Sequence, residues 1–350
     1  MLNDIVKPLT EWYRQNKRSL PWRDRHNAYY TWVSEIMLQQ TRVEAVKPYF
    51  RRFTEELPDP AALAECPEEK LLKLWEGLGY YNRVRNMQIA AQTVVEEYDG
   101  VLPASYEKLL SLKGIGSYTA GAIASIAYDI PVPAVDGNVL RVITRIIEDD
   151  GDIMKQSVKK RIENKLQEIM PGEYPGDFNQ ALMELGAVVC VPNGEPKCDV
   201  CPVAFCCGAR AHGTIDRFPV KAQKKDRKLE DRTVLVIQDG EKTAIRRRPS
   251  RGLLAGLYEL PNLKGHLSEE EVLESVKAMD LEPLRIEALP EAKHIFSHIE
   301  WHMTGYEVIV DELEKTNEKG FLFIHPEEIR KEYSIPSAFE KYTGYAGIER

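Results

Sequence analysis

The residues best placed to do chemistry are a carboxylate set into a turn and a run of thiols. Asp136 precedes Gly137 just after the Pro-Val-Pro run at residues 131–133. Upstream, Gly114 and Gly116 flank Ile115 between two helical patterns, Tyr106 to Ser111 and Ser117 to Tyr128. Glycines there let the turn take positive φ and bring bare backbone amides against an anion. The arrangement reads as a helix-hairpin-helix over residues 105–128. An Asp136-Gly137 turn before a helix from about Asn138 through Arg145 then offers the carboxylate to whatever the hairpin holds. Five of the six cysteines fall between Cys190 and Cys207, four of them spaced Cys190-x7-Cys198-x2-Cys201-x5-Cys207. Thiols this close in an intracellular chain point to a metal rather than to disulfides. Zinc and a [4Fe-4S] cluster both accept four cysteines, so the spacing alone leaves the metal open. Cys206 is the spare candidate, and Cys66 before Pro67 reads as a small buried apolar residue.

The elements that must position these groups follow from periodicity. Residues 1–213 read as helix after helix: Asn27 to Gln39, Glu68 to Trp75, Asn82 to Tyr98, Val139 to Ile147 and Val158 to Ile169, joined by short polar or Pro/Gly connections. Residues 214–232 are charged and lack a period, which suits an extended linker. From residue 233 to 350 the pattern changes. Thr233 to Ile237, Lys242 to Arg247, Arg285 to Leu289 and Trp301 to Val310 alternate like strands, with helices expected at Glu269 to Met279 and Ser337 to Tyr342. The expected fold class is therefore multi-domain, an all-α domain followed by an α+β domain.

Length supports that division, since 350 residues exceed one ordinary core. No run of eighteen apolar residues occurs and Met1 to Lys17 lacks a signal-peptide core, so a soluble cytoplasmic protein is expected. A net charge of -8 speaks against nucleic acid at first sight, but the charge is uneven. Arg217 to Arg251 holds 12 basic and 5 acidic residues, whereas Gly252 to Arg350 holds 10 basic and 20 acidic. Contact with DNA through backbone amides and a few placed cations stays open.

Four separated features converge: Ser34-Glu35-Ile36-Met37-Leu38-Gln39-Gln40-Thr41, Gly77-Leu78-Gly79-Tyr80-Tyr81-Asn82-Arg83, the segment from Gly114 to Asp136, and the cysteine run. In this order they resemble the helix-hairpin-helix DNA glycosylase superfamily, and within it the adenine DNA glycosylases of the MutY family, over essentially the whole chain. One departure is visible. The x7 spacing between Cys190 and Cys198 is one residue longer than is usual in that family.

The resemblance implies a monofunctional enzyme that flips adenine out of duplex DNA where it is mispaired with 8-oxoguanine or guanine, and removes it. Adenine leaves poorly as an anion, so the reaction needs a proton on the base and stabilisation of an oxocarbenium-like sugar. By resemblance Glu35 supplies the proton to N7, helped by the desolvating neighbours Trp32, Ile36 and Leu38. Asp136 stays ionised beside the sugar, stabilising the cation or bonding to it transiently. Tyr118 and Asn138 support the two carboxylates, Gln40 and Tyr80 enter the duplex, and Gly114 and Gly116 belong to the DNA-gripping hairpin. Cys190, Cys198, Cys201 and Cys207 hold a [4Fe-4S] cluster. Related lyases place a lysine where Tyr118 stands, and here no lysine lies between Lys113 and Lys155.

The C-terminal domain resembles the Nudix fold, most clearly in Gly252-Leu253-Leu254-Ala255-Gly256-Leu257-Tyr258-Glu259-Leu260-Pro261, without the acidic box that binds magnesium. Phe296-Ser297-His298 matches the loop that meets 8-oxoguanine. The partner implied is double-stranded DNA with 8-oxoguanine:A or G:A mispairs, met by a monomer in the cytoplasm, at the nucleoid, with no membrane. Two other readings are an idle lesion-binding clamp, which would not need two carboxylates facing phosphates, and a pyrimidine-specific glycosylase-lyase, which lacks its lysine.

Overall fold

The computed structural model describes residues 2–23, 27–222, 226–311 and 320–348. It divides into two compact units: Met1–Glu65 with Arg85–Gln223, and Cys66–Val84 with Lys224–Arg350. The helices are α1 Val6–Asn16, α2 Ala28–Leu38, α3 Val43–Glu56, α4 Pro60–Glu65, α5 Glu68–Leu74 and α6 Asn82–Tyr98. They continue as α7 Tyr106–Ser111, α8 Ser117–Tyr128, α9 Gly137–Ile147, α10 Gln156–Gln167, α11 Pro175–Val188 and α12 Gly208–Ala211. The hairpin helices α7 and α8 have the expected bounds. α3, α4, α11 and α12 are additional to those expected, and α9 begins one residue earlier, at Gly137.

In the first unit α2 packs on α8, and α11 packs on α1, α8 and α9. α2 is apolar on nearly every side, with Tyr29 and Thr31 through Met37 all buried, so it runs through the interior and carries Glu35 with it. A helix of this kind has no solvent face on which to leave a charge. Asn27 caps it by accepting from the Tyr30 N–H at 3.0 Å. The core between α1, α9, α10 and α11 is built from Leu9, Tyr13, Val139, Ile143, Ile162, Leu166, Phe178, Leu182 and Leu185. Each such side chain contributes roughly 1.5–3 kcal/mol when fully buried. Gly186 on α11 lets that helix reach the start of α9, since a Cβ there would lie 2.6 Å from Asn138 Cβ.

The second unit is a mixed sheet. Its strands are β1 Lys228–Gln238, β2 Thr243–Arg247, β3 Tyr258–Glu259, β4 Asn262–Lys264, β5 Pro283–Ile295, β6 Ile299–Val310 and β7 Phe321–Ile324, with α13 Glu269–Lys277, α14 Pro326–Glu332 and α15 Glu340–Thr343. The order is β3-β2-β1-β6-β5, with β4 on β1 and β7 on β2; β1 and β6 run parallel. Val234 and Val236 face a core with Trp301, Met303, Phe339 and Tyr342, while Leu235 and Ile237 face Val272, Val276, Val308 and Val310. A strand buried on both faces reads as a continuous apolar run.

The linker expected over residues 214–232 is shorter in the structure. Its first part is tied down in the helical unit, because Phe218 O accepts from Arg145 Nε at 3.0 Å and Val220 O from the Ile153 N–H at 3.0 Å. Its last part is strand: Lys228 to Arg232 pair in register with Ile299 to Met303. Ladder bonds to β6 hold a charged segment that periodicity assigned to no element.

Candidate active site

Three helices bring four polar side chains of the first unit together. α2 contributes Glu35, α8 contributes Tyr118 from its first turn, and the start of α9 contributes Asp136 and Asn138. Tyr118 donates its hydroxyl hydrogen bond to Glu35 Oε2. The thioether of Met183, on α11, is a second and weaker acceptor for that hydroxyl at 3.8 Å. Glu35 is only 6% exposed. Burial pushes its carboxyl from the ordinary 4.5 up to about 7; the Tyr118 hydrogen bond opposes this, the charge of Asp136 adds to it, and Arg23 subtracts. Burial likewise raises the Tyr118 phenol well above 10, with the Glu35 and Asp136 charges acting in the same direction. Tyr118 therefore serves as a hydrogen-bond donor and not as a phenolate.

Asp136 is the N-cap of α9. Its Oδ1 accepts from the Val139 N–H at 2.7 Å and its Oδ2 from Asn138 Nδ2 at 2.7 Å. Burial raises this carboxyl too, but the Val139 and Asn138 donors and the Arg141 charge pull the other way. The positive end of α9 also favours the charged form. Thus two carboxylates close enough to feel each other sit in opposed surroundings. Glu35 is buried with one donor, and Asp136 is held by two at a helix N-terminus. Such a pair separates into an acid and an anion.

The hairpin is built as the glycines suggest at one position only. Gly114 has φ +78°, and a Cβ there would lie 2.7 Å from Asn86 Cβ. Gly116 instead caps α8 at φ −95° with open space where a Cβ would stand, so local geometry does not demand glycine there. Both are exposed. Gln40 and Tyr80 share an unusual feature, since both are non-glycine residues in the left-handed region, at φ 64° and 47°. Tyr80 is 48% exposed rather than packed in a core. In the second unit Phe296-Ser297-His298 forms the tip of the β5–β6 hairpin, closed by the Phe296 N–H donating to Ile299 O at 2.8 Å. Phe296 leans edge-on to Trp301 with ring centroids 4.9 Å apart, leaving Ser297 and His298 exposed. Tyr80 belongs to this same unit, and its hydroxyl lies 3.0 Å from Ser297 Oγ. That meeting is invisible in sequence, where the two are 217 residues apart.

Cys190, Cys198, Cys201 and Cys207 line one pocket in the helical unit, together with Arg145, Val203 and Ile215. Among the described residues no three metal-binding side chains already converge on one point. Cys206 is not among those lining the cavity, and its thiol donates to Val203 O at 3.4 Å. Burial first, and then its neighbours Cys190, Cys207 and Cys198, push the Cys201 thiol up to about 12. As thiolates these neighbours would repel one another, so binding them together would take a polycationic group, and the four-cysteine donor set fits one. Between Cys190 and Cys198 the chain is exposed at residues 192–195, where Gly194 turns at φ +78° and the Lys197 N–H closes back on Val189 O at 3.0 Å.

The residues that sequence reasoning missed are Arg141 and Arg145. Arg141 Nη2 donates to Asn138 Oδ1 at 2.9 Å and to Gly186 O at 2.8 Å, and its Nε donates to Cys190 O at 2.9 Å. Arg145 Nη1 donates to Cys190 Sγ at 3.3 Å. Two arginines spaced i, i+4 within the otherwise apolar Val139–Ile147 were the available signal, because cations enter such a face only to meet partners.

Comparison with known proteins identifies relatives of both domains. The family model described as HhH-GPD superfamily base excision DNA repair protein matches residues 33–171, and that of the NUDIX domain matches residues 233–344. An adenine DNA glycosylase of Mus musculus is 36% identical over 364 residues, spanning 87% of this chain and 70% of that protein. One from Buchnera aphidicola subsp. Baizongia pistaciae is 30% identical over 313 residues, 88% of this chain and 87% of its own. Among solved structures, a thermostable thymine-DNA glycosylase superposes with a TM-score of 0.54 at 25% identity, covering 60% of this chain and 96% of its own. An endonuclease III trapped as a covalent DNA intermediate shares the fold, with a TM-score of 0.52 at 23% identity over 61% of this chain and 96% of its own.

Proposed function

The chain belongs to the adenine DNA glycosylase family, and from that premise we propose that it excises adenine paired with 8-oxoguanine or guanine through the Glu35 and Asp136 pair. The protein is a base excision repair enzyme that cleaves the N-glycosidic bond of adenine in DNA. Among the described residues no helix is long and apolar enough to cross a membrane. The same reading, with DNA as substrate, puts its work in the cytoplasm, at the nucleoid, as part of the proposal.

The observation that carries the mechanism is the carboxyl of Glu35, raised to about 7. A carboxyl raised this far toward neutrality can hold a proton to give at neutral pH, and it sits enclosed on α2 with Tyr118 as its donor. Tyr118 donates to Oε2, which leaves Oε1 to carry the proton toward N7 of an extruded adenine. As N7 takes the proton, the electron pair of the C1′–N9 bond leaves with the base and positive charge develops on the sugar. Asp136, kept anionic by Val139 and Asn138, opposes that charge, and water adds to the sugar as a hydroxyl while its other proton returns to the ionised Glu35. Tyr118 stands where related lyases place their lysine, and no lysine lies between Lys113 and Lys155, so the strand is left intact.

Gly114 and Gly116 offer backbone amides to a phosphate, and Gln40 and Tyr80 enter the duplex where the base is drawn out. Ser297 and His298 read the partner base. Cys190, Cys198, Cys201 and Cys207 would hold a [4Fe-4S] cluster, which when bound cross-links residues 190–207 into a rigid loop. One labelled duplex containing 8-oxoguanine opposite adenine tests the reading. Free adenine with an unbroken abasic strand is expected. Prompt strand cleavage by the enzyme alone, or binding with no base released, would overturn it.

A further inference from the structure

Residues 66–84 fold with the C-terminal sheet, and side chains from this segment fasten directly to main chain there. Lys73, in the last turn of α5, donates from Nζ to Tyr333 O at 2.9 Å. The Ile335 N–H donates to Glu76 Oε1 at 2.8 Å. Lys73 and Glu76 pair with each other at 2.7 Å, their side chains 21% and 15% exposed. Between the two backbone contacts lies Ser334, buried, whose hydroxyl donates to Leu72 O at 3.3 Å. The stretch is extended, with Tyr333 at φ −104° and ψ 130°. Two side chains three residues apart thus grip the carbonyl and the amide on either side of one residue, as a neighbouring strand would.

Directly after Glu76 comes a turn of uncommon backbone: Gly77 at φ 99°, Gly79 at 69° and Tyr80 at 47°. Trp75 Nε1 donates to Gly79 O at 3.1 Å, and Arg83 Nη2 to Leu78 O at 3.0 Å. The turn ends with the Tyr80 hydroxyl on Ser297. A tyrosine in the left-handed region persists only where its surroundings over-determine it.

We propose that Glu76, with Lys73, is a positioning residue for partner-base selectivity: its grip on residues 333–335 seats the Tyr80 turn so that Tyr80 and Ser297 meet DNA as one preassembled pair. This rests on the reading that Tyr80 enters the duplex and Ser297 reads the partner base. Preassembly raises selectivity because neither side chain has to be ordered at the moment of binding.

The test uses the full chain as Glu76→Ala, Glu76→Gln and Lys73→Met, each alone and in a Ser297→Ala background. Hydrogen exchange is read at the amides of residues 77–81, and single-turnover excision and affinity are compared opposite 8-oxoguanine and opposite guanine. Glu76→Ala should speed exchange in the turn but not in α8, and lower the 8-oxoguanine preference about tenfold through affinity rather than rate. Glu76→Gln, which keeps an acceptor for Ile335, should restore most of it. In the Ser297→Ala background Glu76→Ala should lower the ratio no further. An unchanged ratio despite faster exchange, or an equal additional loss without Ser297, overturns the inference. A wild-type chain with no preference sinks the partner-base reading instead; the grip then stands or falls on whether Glu76→Ala weakens duplex binding.

Discussion

Arg141 holds Asn138 through a 2.9 Å hydrogen bond from Nη2 to Oδ1, and this decides which way the amide faces. With its oxygen committed to a guanidinium, Asn138 can only turn Nδ2 toward Asp136, where it donates at 2.7 Å. The orientation follows from donor and acceptor inventory, since Arg141 has no acceptor to offer the amide nitrogen. Asn138→Asp keeps the shape but replaces that donor by a second carboxylate against Asp136. Excision should fall by at least about a hundredfold, with the chain still folded by circular dichroism. Ordinary rates in this variant would remove Asn138 from support of Asp136.

Glu35→Gln keeps the size of the side chain and removes the proton that can be given away. Single-turnover excision should drop by at least about a hundredfold while duplex affinity stays near that of the wild type. Near-normal excision would assign the proton to another group.

The raised carboxyl of Glu35 also fixes two pH dependences. With Glu35 as the proposed acid and Asp136 as the proposed anion, wild-type excision should fall about tenfold per unit above about 7 and decline again on the acid side where Asp136, itself raised by burial, takes a proton. For stability the sign is opposite to that of a salt-bridged carboxylate. A folded-state value above the unfolded 4.5 contributes stability that is complete below 4.5 and is lost as pH rises through about 7. Glu35→Gln should therefore be more stable than the wild type at pH 8, by on the order of 3 kcal/mol, and gain little at pH 4. Denaturant titrations at the two pH values measure this, and an equal gain at both would contradict the raised carboxyl.

Gly114 and Gly116 should separate stability from DNA contact. Gly114→Ala places a Cβ at φ +78° and against Asn86, and should cost about 1–2 kcal/mol. Gly116→Ala meets neither constraint. It should unfold within about 0.5 kcal/mol of the wild type yet bind duplex more weakly if backbone at that position approaches phosphate. Normal binding by a folded Gly116→Ala protein would take that glycine out of the DNA contact.

The cysteine cavity predicts which thiols hold the metal. Cys206→Ser should leave a yellow-brown protein with its iron and acid-labile sulfide, and Cys207→Ser should not. Stoichiometric zinc in a colourless wild-type protein would replace the cluster by a different metal.

Local sequence determined the parts whose cause is local. The hairpin helices Tyr106–Ser111 and Ser117–Tyr128 are bounded by turn glycines and a Ser105 cap, so their ends are written within a few residues. The cysteine spacing and the pair Glu35 and Asp136 were legible for a similar reason, because residue type and order survive whatever the packing does. What tertiary structure alone decided is how those groups are tuned and joined. The Glu35 carboxyl is raised because α2 is enclosed on nearly every side, which periodicity in one helix does not reveal. Arg141 reaches Cys190 and Asn138 together only after α9 and α11 close at Gly186. Residues 66–84 look like part of the helical domain until Lys73 and Glu76 meet Tyr333 and Ile335. Burial and long-range hydrogen bonds depend on distance in space, and a chain of this length brings Tyr80 to Ser297 only by folding.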